Sequence, residues 1–508
     1  MKRILTCLLI ISNVSSLAQT RTVRNYIDDT SNQYHWLNEY RDFVSIPNVL
    51  GDSVNIQRNA MAIAEMMRRR GIKSQLLYSG KYKSAPSVYG EVTTPGAKIT
   101  LALYAHYDGQ PVNPKQWAEG LSPFTPVLMN ERLDKGGIII PFPRPEEKIN
   151  PKWRMYGRGA ADDKAGVFAI LSAYEALVKS GRKPSVNIKF FFEGEEEAGS
   201  THLADIFMLN KDLLKSDLWI ICDGPRHISG RKQVLFGVRG DVNIDLTVYG
   251  AKRPLHSGNY GNWAPNPSMR LVQLLATMKD EKGLVTIKGF YDDVIPLTET
   301  EKKALAAIPP VEEILRKDLA LALPDGNGKS FMDLLMLPTL NINGIQGGNI
   351  GSMAANVIPT EATAVLDLRL VLGNDVDRQI EKVVKHIQGK GYTVIDHYPG
   401  DAERIANPLL VTITRRGHGY NAQRTPMDLP LAQLVIKAVA TTSTNPVITV
   451  PSLGGSLPLF LFEKHLGAQP ITVPIVNYDN NQHAENENVL LEYLWDGMET
   501  MAAIMMMK

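Results

Sequence analysis

Cysteine is almost absent from this chain of 508 residues, which has only Cys7 and Cys222. The chain therefore has no disulfide framework and no thiol set that could build a Cys-rich metal site. Charge of one sign is lacking too, with 55 basic residues against 53 acidic. That balance excludes the electrostatic footprint of a nucleic-acid binder and a polybasic membrane patch. No apolar run is long enough to span a bilayer. A hydrophobic fraction of 44% argues against disorder, and the length calls for more than one domain.

The first residues place Lys2 and Arg3 before an apolar stretch, Ile4 to Ile11, and then Ser16-Leu17-Ala18. This order reads as a signal peptide over residues 1–18, cleaved after Ala18, and predicts a secreted or periplasmic protein. Without Lys2 and Arg3 the 55 basic residues become 53, equal to the 53 acidic ones.

Periodicity predicts a helix from Ser53 to Gly71, with Arg68, Arg69 and Arg70 as a solvated last turn. Apolar runs at Ile99–Ala105, Val186–Phe192 and Leu218–Cys222 read as buried strands. Helical stretches follow at Lys164–Lys179 and around His202–Leu214. Strands alternating with helices predict an α/β fold: a mostly parallel sheet with helices on both faces. From Asp241 the pattern changes to alternating strands, Val242–Val248 and Ala362–Leu370, around a helix Pro267–Lys279. The parallel style returns with a helix Leu429–Ala440, a strand Ile471–Val476 and a closing helix Val489–Met505. The expected division is a catalytic domain over 19–240 and 425–508, with an α+β domain inserted at 241–424. Residues Val127 to Trp153 fit a long loop and a pair of edge strands equally well.

Ligands of open α/β sheets bind at the carboxyl ends of the strands. Here those ends carry His106 and Asp108, then Glu193-Gly194-Glu195-Glu196-Glu197, then Asp223, and finally Asp479 and His483. Asp162-Asp163-Lys164 opens a helix after the turn Gly157-Arg158-Gly159. Each piece alone has a bland reading: a strand histidine, an acidic surface run, a helix cap. Together, several carboxylates pressed into one cleft repel unless a cation or proton neutralises them. Two imidazoles with carboxylates and no thiol suit a pair of divalent ions, zinc first, with cobalt or manganese as alternatives.

The strings Ala105-His106-Tyr107-Asp108, Gly157-Arg158-Gly159-Ala160-Ala161-Asp162-Asp163-Lys164, Glu193-Gly194-Glu195-Glu196-Glu197-Ala198-Gly199-Ser200 and Leu255-His256-Ser257-Gly258 occur in that order. Together they resemble the metallopeptidase family of carnosinase-type dipeptidases, glutamate carboxypeptidase, aminoacylase and succinyl-diaminopimelate desuccinylase. The resemblance implies a two-zinc exopeptidase fold whose inserted domain is a lid and dimerisation element. It implies His106, Asp162 and Asp223 as ligands of one metal, and Asp162, Glu197 and His483 as ligands of the other. It makes Glu196 the general base, and Asp108 the group that orients His106. A cis peptide between Asp162 and Asp163 is also implied. His256 would reach a partner subunit's active site in a homodimer. Arg369, Gly455 and Ser456, with Asn356 as a looser candidate, would hold the substrate's carboxylate. The substrate would be a small peptide or, as an alternative, an N-acyl amino acid. A non-catalytic binding protein would lack the base or a ligand, and this chain keeps the set.

His35, His202, His386, His397 and His465 lie outside these motifs, His227 is not expected to be a ligand, and Cys222 reads as a buried strand residue. Gly109 replaces the valine usual after His-x-Asp. The long gap from His106 to Asp162 marks Val127–Trp153 as an insertion near the cleft.

Overall fold

The computed structural model describes residues 20–80 and 85–508; the segment read as a signal peptide lies outside them. Its main sheet has eight strands, in the order Ser74–Leu77, Ser87–Val92, Asn187–Glu193, Thr100–His106, Leu218–Ile221, Pro470–Thr472, Gln233–Leu235, Ile448–Val450. The four central strands are parallel to one another. Antiparallel pairing appears only towards the edges. Thr100–His106 is buried along nearly its whole length, as a strand covered by helices on both faces must be. The helix Lys164–Lys179 packs on it from one side and is itself covered by the closing helix Leu491–Met505. Asp163 caps this helix by accepting the backbone N–H of Gly166 at 3.0 Å.

A second sheet of five strands is built from Gly240–Tyr249, Thr339–Gln346, Glu361–Leu370, Thr393–Ile395 and Leu410–Tyr420. Gly240–Tyr249 alternates buried and half-buried positions, the signature of a sheet with one face on a core. That core is supplied by Leu271 and Leu274 of the helix Pro267–Leu275 and by Val383 and Ile387 of Val376–Gly389. The two crossings between the sheets, Gly237–Val238 and Gln423–Arg424, pair antiparallel as a short ribbon. The intervening span is not confined to its own sheet. Leu305, Ile308 and Met332 pack on Leu235, Ile448 and Val450 at the edge of the main sheet.

Several local expectations change. The 203–214 stretch breaks at Asn210 into Leu203–Leu209 and Lys211–Leu214. The strand expected at Ile471–Val476 is regular only over Pro470–Thr472, with an isolated parallel bridge from Val476 to Pro225, and the helix from Pro267 stops at Leu275. Arg70 is not solvated: its side chain is buried, with Nη2 2.6 Å from Glu39 and 2.9 Å from Glu175. The ambiguous Val127–Trp153 stretch holds two short strands, Val127–Met129 and Ile139–Ile140. They join Arg154–Tyr156 and Asn488–Leu490 in a four-stranded sheet.

Candidate active site

The strand Thr100–His106 ends by delivering a fully buried His106. Its Nε2 lies 3.0 Å from Asp162 Oδ1 and 3.9 Å from both Glu196 and Asp223. The other oxygen of Asp162 lies 3.0 Å from His483 Nε2, which is also 3.3 Å from Glu197. One carboxylate thus stands between two imidazoles. Asp162 is buried, which alone would raise its pKa, but hydrogen bonds with His106 and His483 hold it well below the usual carboxylate range. Its Asp162–Asp163 peptide is cis.

The neighbouring acids are pushed the other way. Asp223 is raised to about 6 by burial, with His106 opposing and Asp162 adding to the rise. Glu197 is raised to about 7 by burial and then by the charge of Asp162. His483, on the exposed rim, is raised to about 9, first by its hydrogen bond with Asp162. Such crowding is relieved by bound cations. Glu197 Oε1 is buried without a hydrogen-bond partner, and a free carboxylate oxygen beside imidazoles suits a hard to borderline dication.

Two groups of potential ligand atoms lie within 4.8 Å of one another: His106, Asp162 and Glu197, and His106, Asp163 and Asp223. The second brings in Asp163, which the sequence did not single out as a ligand. Both Asp163 oxygens already accept backbone N–H groups, from Gly166 at 3.0 Å and His106 at 3.2 Å. Asp163 is therefore a brace between helix and strand, and Asp162 remains the better donor.

Asp108 is fully buried, and one of its oxygens lies 3.3 Å from His106 Nδ1. It also accepts the backbone N–H groups of Glu196 and Glu197. A further support had no sequence signal. Glu487, fully buried, accepts from Arg158 Nη1 at 2.8 Å and from the backbone N–H groups of Gly159, Ala161 and Asp162. Lys164 is equally buried and donates to the carbonyls of Phe43 and Ile46, so it anchors the loop rather than facing a ligand.

Arg369 and Ser456 come together, Nη1 donating to Oγ at 2.8 Å. Gly455 joins them through its carbonyl, which accepts the backbone N–H of Arg239 at 3.3 Å. Arg239 itself was missed; it is buried beside Arg369, and burial and that neighbouring charge lower it to about 10. Tyr420 sits near enough to Asp241 and Glu196 for both charges to raise its pKa, after burial, linking the arginine cluster to the acid cluster. Asn356 does not join Arg369. It is exposed beside His256, its carbonyl accepting the N–H of Ser257 at 3.0 Å. His256 is exposed as well. Asp479 is held by Arg132 and Arg154. His202 pairs with Glu195, and His227 with Ser229.

Residues 102–507 match the model of peptidase family M20/M25/M40. The chain belongs to this family. It is a metallopeptidase, dipeptidase- or carboxypeptidase-like. Among relatives of this M20 peptidase, the Beta-Ala-His dipeptidase of Homo sapiens is 27% identical over 409 residues, covering 80% of this chain and 74% of the relative. The Cys-Gly metallodipeptidase of Schizosaccharomyces pombe is 26% identical over 473 residues, covering 90% and 92%. The crystal structure of the metallo-carboxypeptidase Sso-CP2 from Sulfolobus solfataricus superposes with a TM-score of 0.74 at 29% identity, covering 92% of this chain and 98% of that one. The secreted or periplasmic assignment does not stand. The fungal Cys-Gly metallodipeptidases matched by this M20 peptidase point away from export. Among the described residues, no helix is long and apolar enough to cross a membrane.

Proposed function

We propose that this M20 peptidase hydrolyses the amide bond of dipeptides or short peptides, with Glu196 as general base. The observation that carries this reading is Asp162, set between His106 and His483 with Asp223 and Glu197 alongside. His106, Asp162 and Asp223 would hold one dication and Asp162, Glu197 and His483 the other, zinc being favoured over cobalt or manganese. Bound there, the pair supplies Lewis-acid polarisation of a carbonyl and makes water acidic enough to attack near neutral pH.

The protein's own groups do the rest. Glu196 takes a proton from the attacking water and passes it to the leaving nitrogen. Burial raises its pKa, His106 opposes, and Asp223 and Glu197 add to the rise, a balance that suits a group that must both accept and release a proton. Arg369 and Ser456 hold the free carboxylate of the substrate, the planar guanidinium matching its two oxygens. The catalytic domain is taken as 19–240 and 425–508, with 241–424 as lid.

The lid also serves as the homodimer contact. Thr339–Gln346 is an unpaired edge of its sheet, and Ile345, Ile350 and Met353 stand exposed on and after it, as expected of a surface that meets a partner. His256, exposed in the single chain, then donates to the oxyanion in the other subunit.

The test is an assay on dipeptides and N-acyl amino acids, with and without chelator, alongside metal analysis. Hydrolysis of dipeptides that disappears on chelation and returns with zinc is expected. Activity unchanged in metal-free protein would overturn the reading, and preference for N-acyl amino acids would make the enzyme a deacylase.

A further inference from the structure

Three strands of the outer sheet bring one row of side chains to the carboxylate clamp. Arg369 of Glu361–Leu370 and Tyr420 of Leu410–Tyr420 both stand directly opposite Asp241 of Gly240–Tyr249. Residues opposed across neighbouring strands share a face, so Arg369, Asp241 and Tyr420 lie side by side. Within the row Arg369 Nε is 3.5 Å from Asp241 Oδ1. Tyr420 reaches it through a bulge, its strand being out of step with Gly240–Tyr249 between Arg416 and Tyr420. Gly417 and Gly419, with φ of 63° and 61°, take the left-handed conformation that glycine allows. A Cβ on Gly419 would stand 2.7 Å from the carbonyl oxygen of Asp241, so the bulge has no room for another residue. A bulge beside a site re-aims a side chain, and the one aimed here is Tyr420.

The Tyr420 ring lies parallel to that of Phe460, with centroids 5.9 Å apart and planes within 7°. Phe460 packs on the core around Phe191 and Trp219, on one face of the main sheet. The stack therefore fixes a side chain of the outer sheet against the main one. The phenol meets Ser456, whose oxygen already takes a hydrogen from Arg369 Nη1 at 2.8 Å. Ser456 gives its own hydrogen to the phenol oxygen, the sense in which that bond works to lower the phenol's pKa. Burial, then the charges of Asp241 and Glu196, outweigh it and raise the pKa well above the usual range. The phenol thus keeps its hydrogen, and that hydrogen is not the one shared with Ser456.

We propose that Tyr420 completes the carboxylate clamp: its phenol, at the end of the chain from Arg369 through Ser456, gives a hydrogen bond to the substrate's free carboxylate. This rests on the reading of Arg369 and Ser456 as the clamp. In a dipeptide only one carbon separates the scissile nitrogen from the carboxyl carbon, so a donor to the carboxylate must stand close to the base. Tyr420 meets both demands, touching Ser456 while feeling the charge of Glu196.

The experiment follows Ala–Ala and alanine ethylamide, the same molecule without its carboxylate, on metal-loaded wild type, Tyr420→Phe, Ser456→Ala and the double variant. Binding of free alanine is measured by calorimetry. Tyr420→Phe keeps the ring and its stack on Phe460 and removes only the hydroxyl. KM for Ala–Ala should rise roughly tenfold or more, the scale of a hydrogen bond to a charged group. The loss should fall on KM rather than kcat, because the bond is the same in the bound substrate and the transition state. Alanine binding should weaken by the same factor, and the ethylamide should show no difference between wild type and Tyr420→Phe. The rise should persist on the Ser456→Ala background, which a phenol that merely braces Ser456 would not produce. An unchanged KM, a loss confined to kcat, an equal rise for the ethylamide, or a rise absent on Ser456→Ala would each overturn the proposal. Wild-type cleavage of Ala–Ala and the ethylamide with equal KM would remove the clamp reading, and the proposal with it. If no dipeptide is cut, the proposed function fails, and alanine binding to wild type and Tyr420→Phe still decides for or against the phenol.

Discussion

Asp108 accepts the backbone N–H of Glu196 at 3.1 Å while its carboxylate also lies 3.3 Å from the His106 ring. One buried acid thus sets the imidazole that faces Asp162 and the turn that presents the proposed base. Asp108→Asn keeps the shape, but its amide nitrogen cannot accept the N–H that the lost oxygen held. A fall of roughly 10–100-fold in kcat/KM is expected, with weaker metal retention. Dipeptide kinetics and metal analysis of dialysed protein check both.

Glu196→Gln separates proton transfer from metal binding. Glu196 faces His106 at 3.9 Å but belongs to neither three-residue ligand group. Loss of kcat by roughly 10²–10⁴-fold is expected, with the metal content of the wild type. A variant that lost its metal would show Glu196 to be a ligand.

Glu487→Gln tests the support beneath the loop. Arg158 and Glu487 are both buried, and one carboxylate satisfies Arg158 and three backbone N–H groups. Gln leaves the guanidinium without its counter-charge and turns an NH2 towards donors. Breaking a buried pair costs roughly 3–5 kcal/mol, so a clear fall in melting temperature is expected by calorimetry, accompanied by loss of activity.

Asp241 carries a pH dependence. Burial, then its hydrogen bond with Asp367, raises its pKa to about 6, with Arg369 opposing. A carboxyl that holds its proton more tightly when folded favours folding fully below its ordinary pKa of 3.8. That contribution is lost as pH rises through about 6. Asp241→Asn removes this titration, so the variant should gain melting temperature relative to wild type between pH 4 and pH 7. Paired thermal melts at the two pH values check the sign; a difference independent of pH would contradict it.

The parts of the site that close over short stretches of chain were legible in the sequence. Asp108 follows His106 by two residues, just past the end of its strand, and Asp162 and Glu197 lie in strings that take their reading from occurring together and in order. Glu487 was not legible, because its four donors belong to residues more than 300 positions earlier and meet it only when the chain closes. Arg70 misled for a related reason. A run of three arginines does not say which one faces the protein, and Glu39 and Glu175, on neighbouring helices, decide it. The strand from Ile471 was drawn too long because apolar residues continue past Thr472, where the antiparallel neighbour meets it at Leu235 alone. Tyr420 and Arg239 escaped notice because nothing local marks a side chain that acts across two sheets.

The paired crossings Gly237–Val238 and Gln423–Arg424 have a mechanical consequence. Entry and exit of the insertion run side by side, so a rotation about that ribbon swings the outer sheet like a door on one narrow hinge. The door is also latched, because Leu305, Ile308 and Met332 grip Leu235, Ile448 and Val450 away from the hinge line. Any swing must flex the chain that joins Met332 to the strand at Thr339 or pull that grip loose.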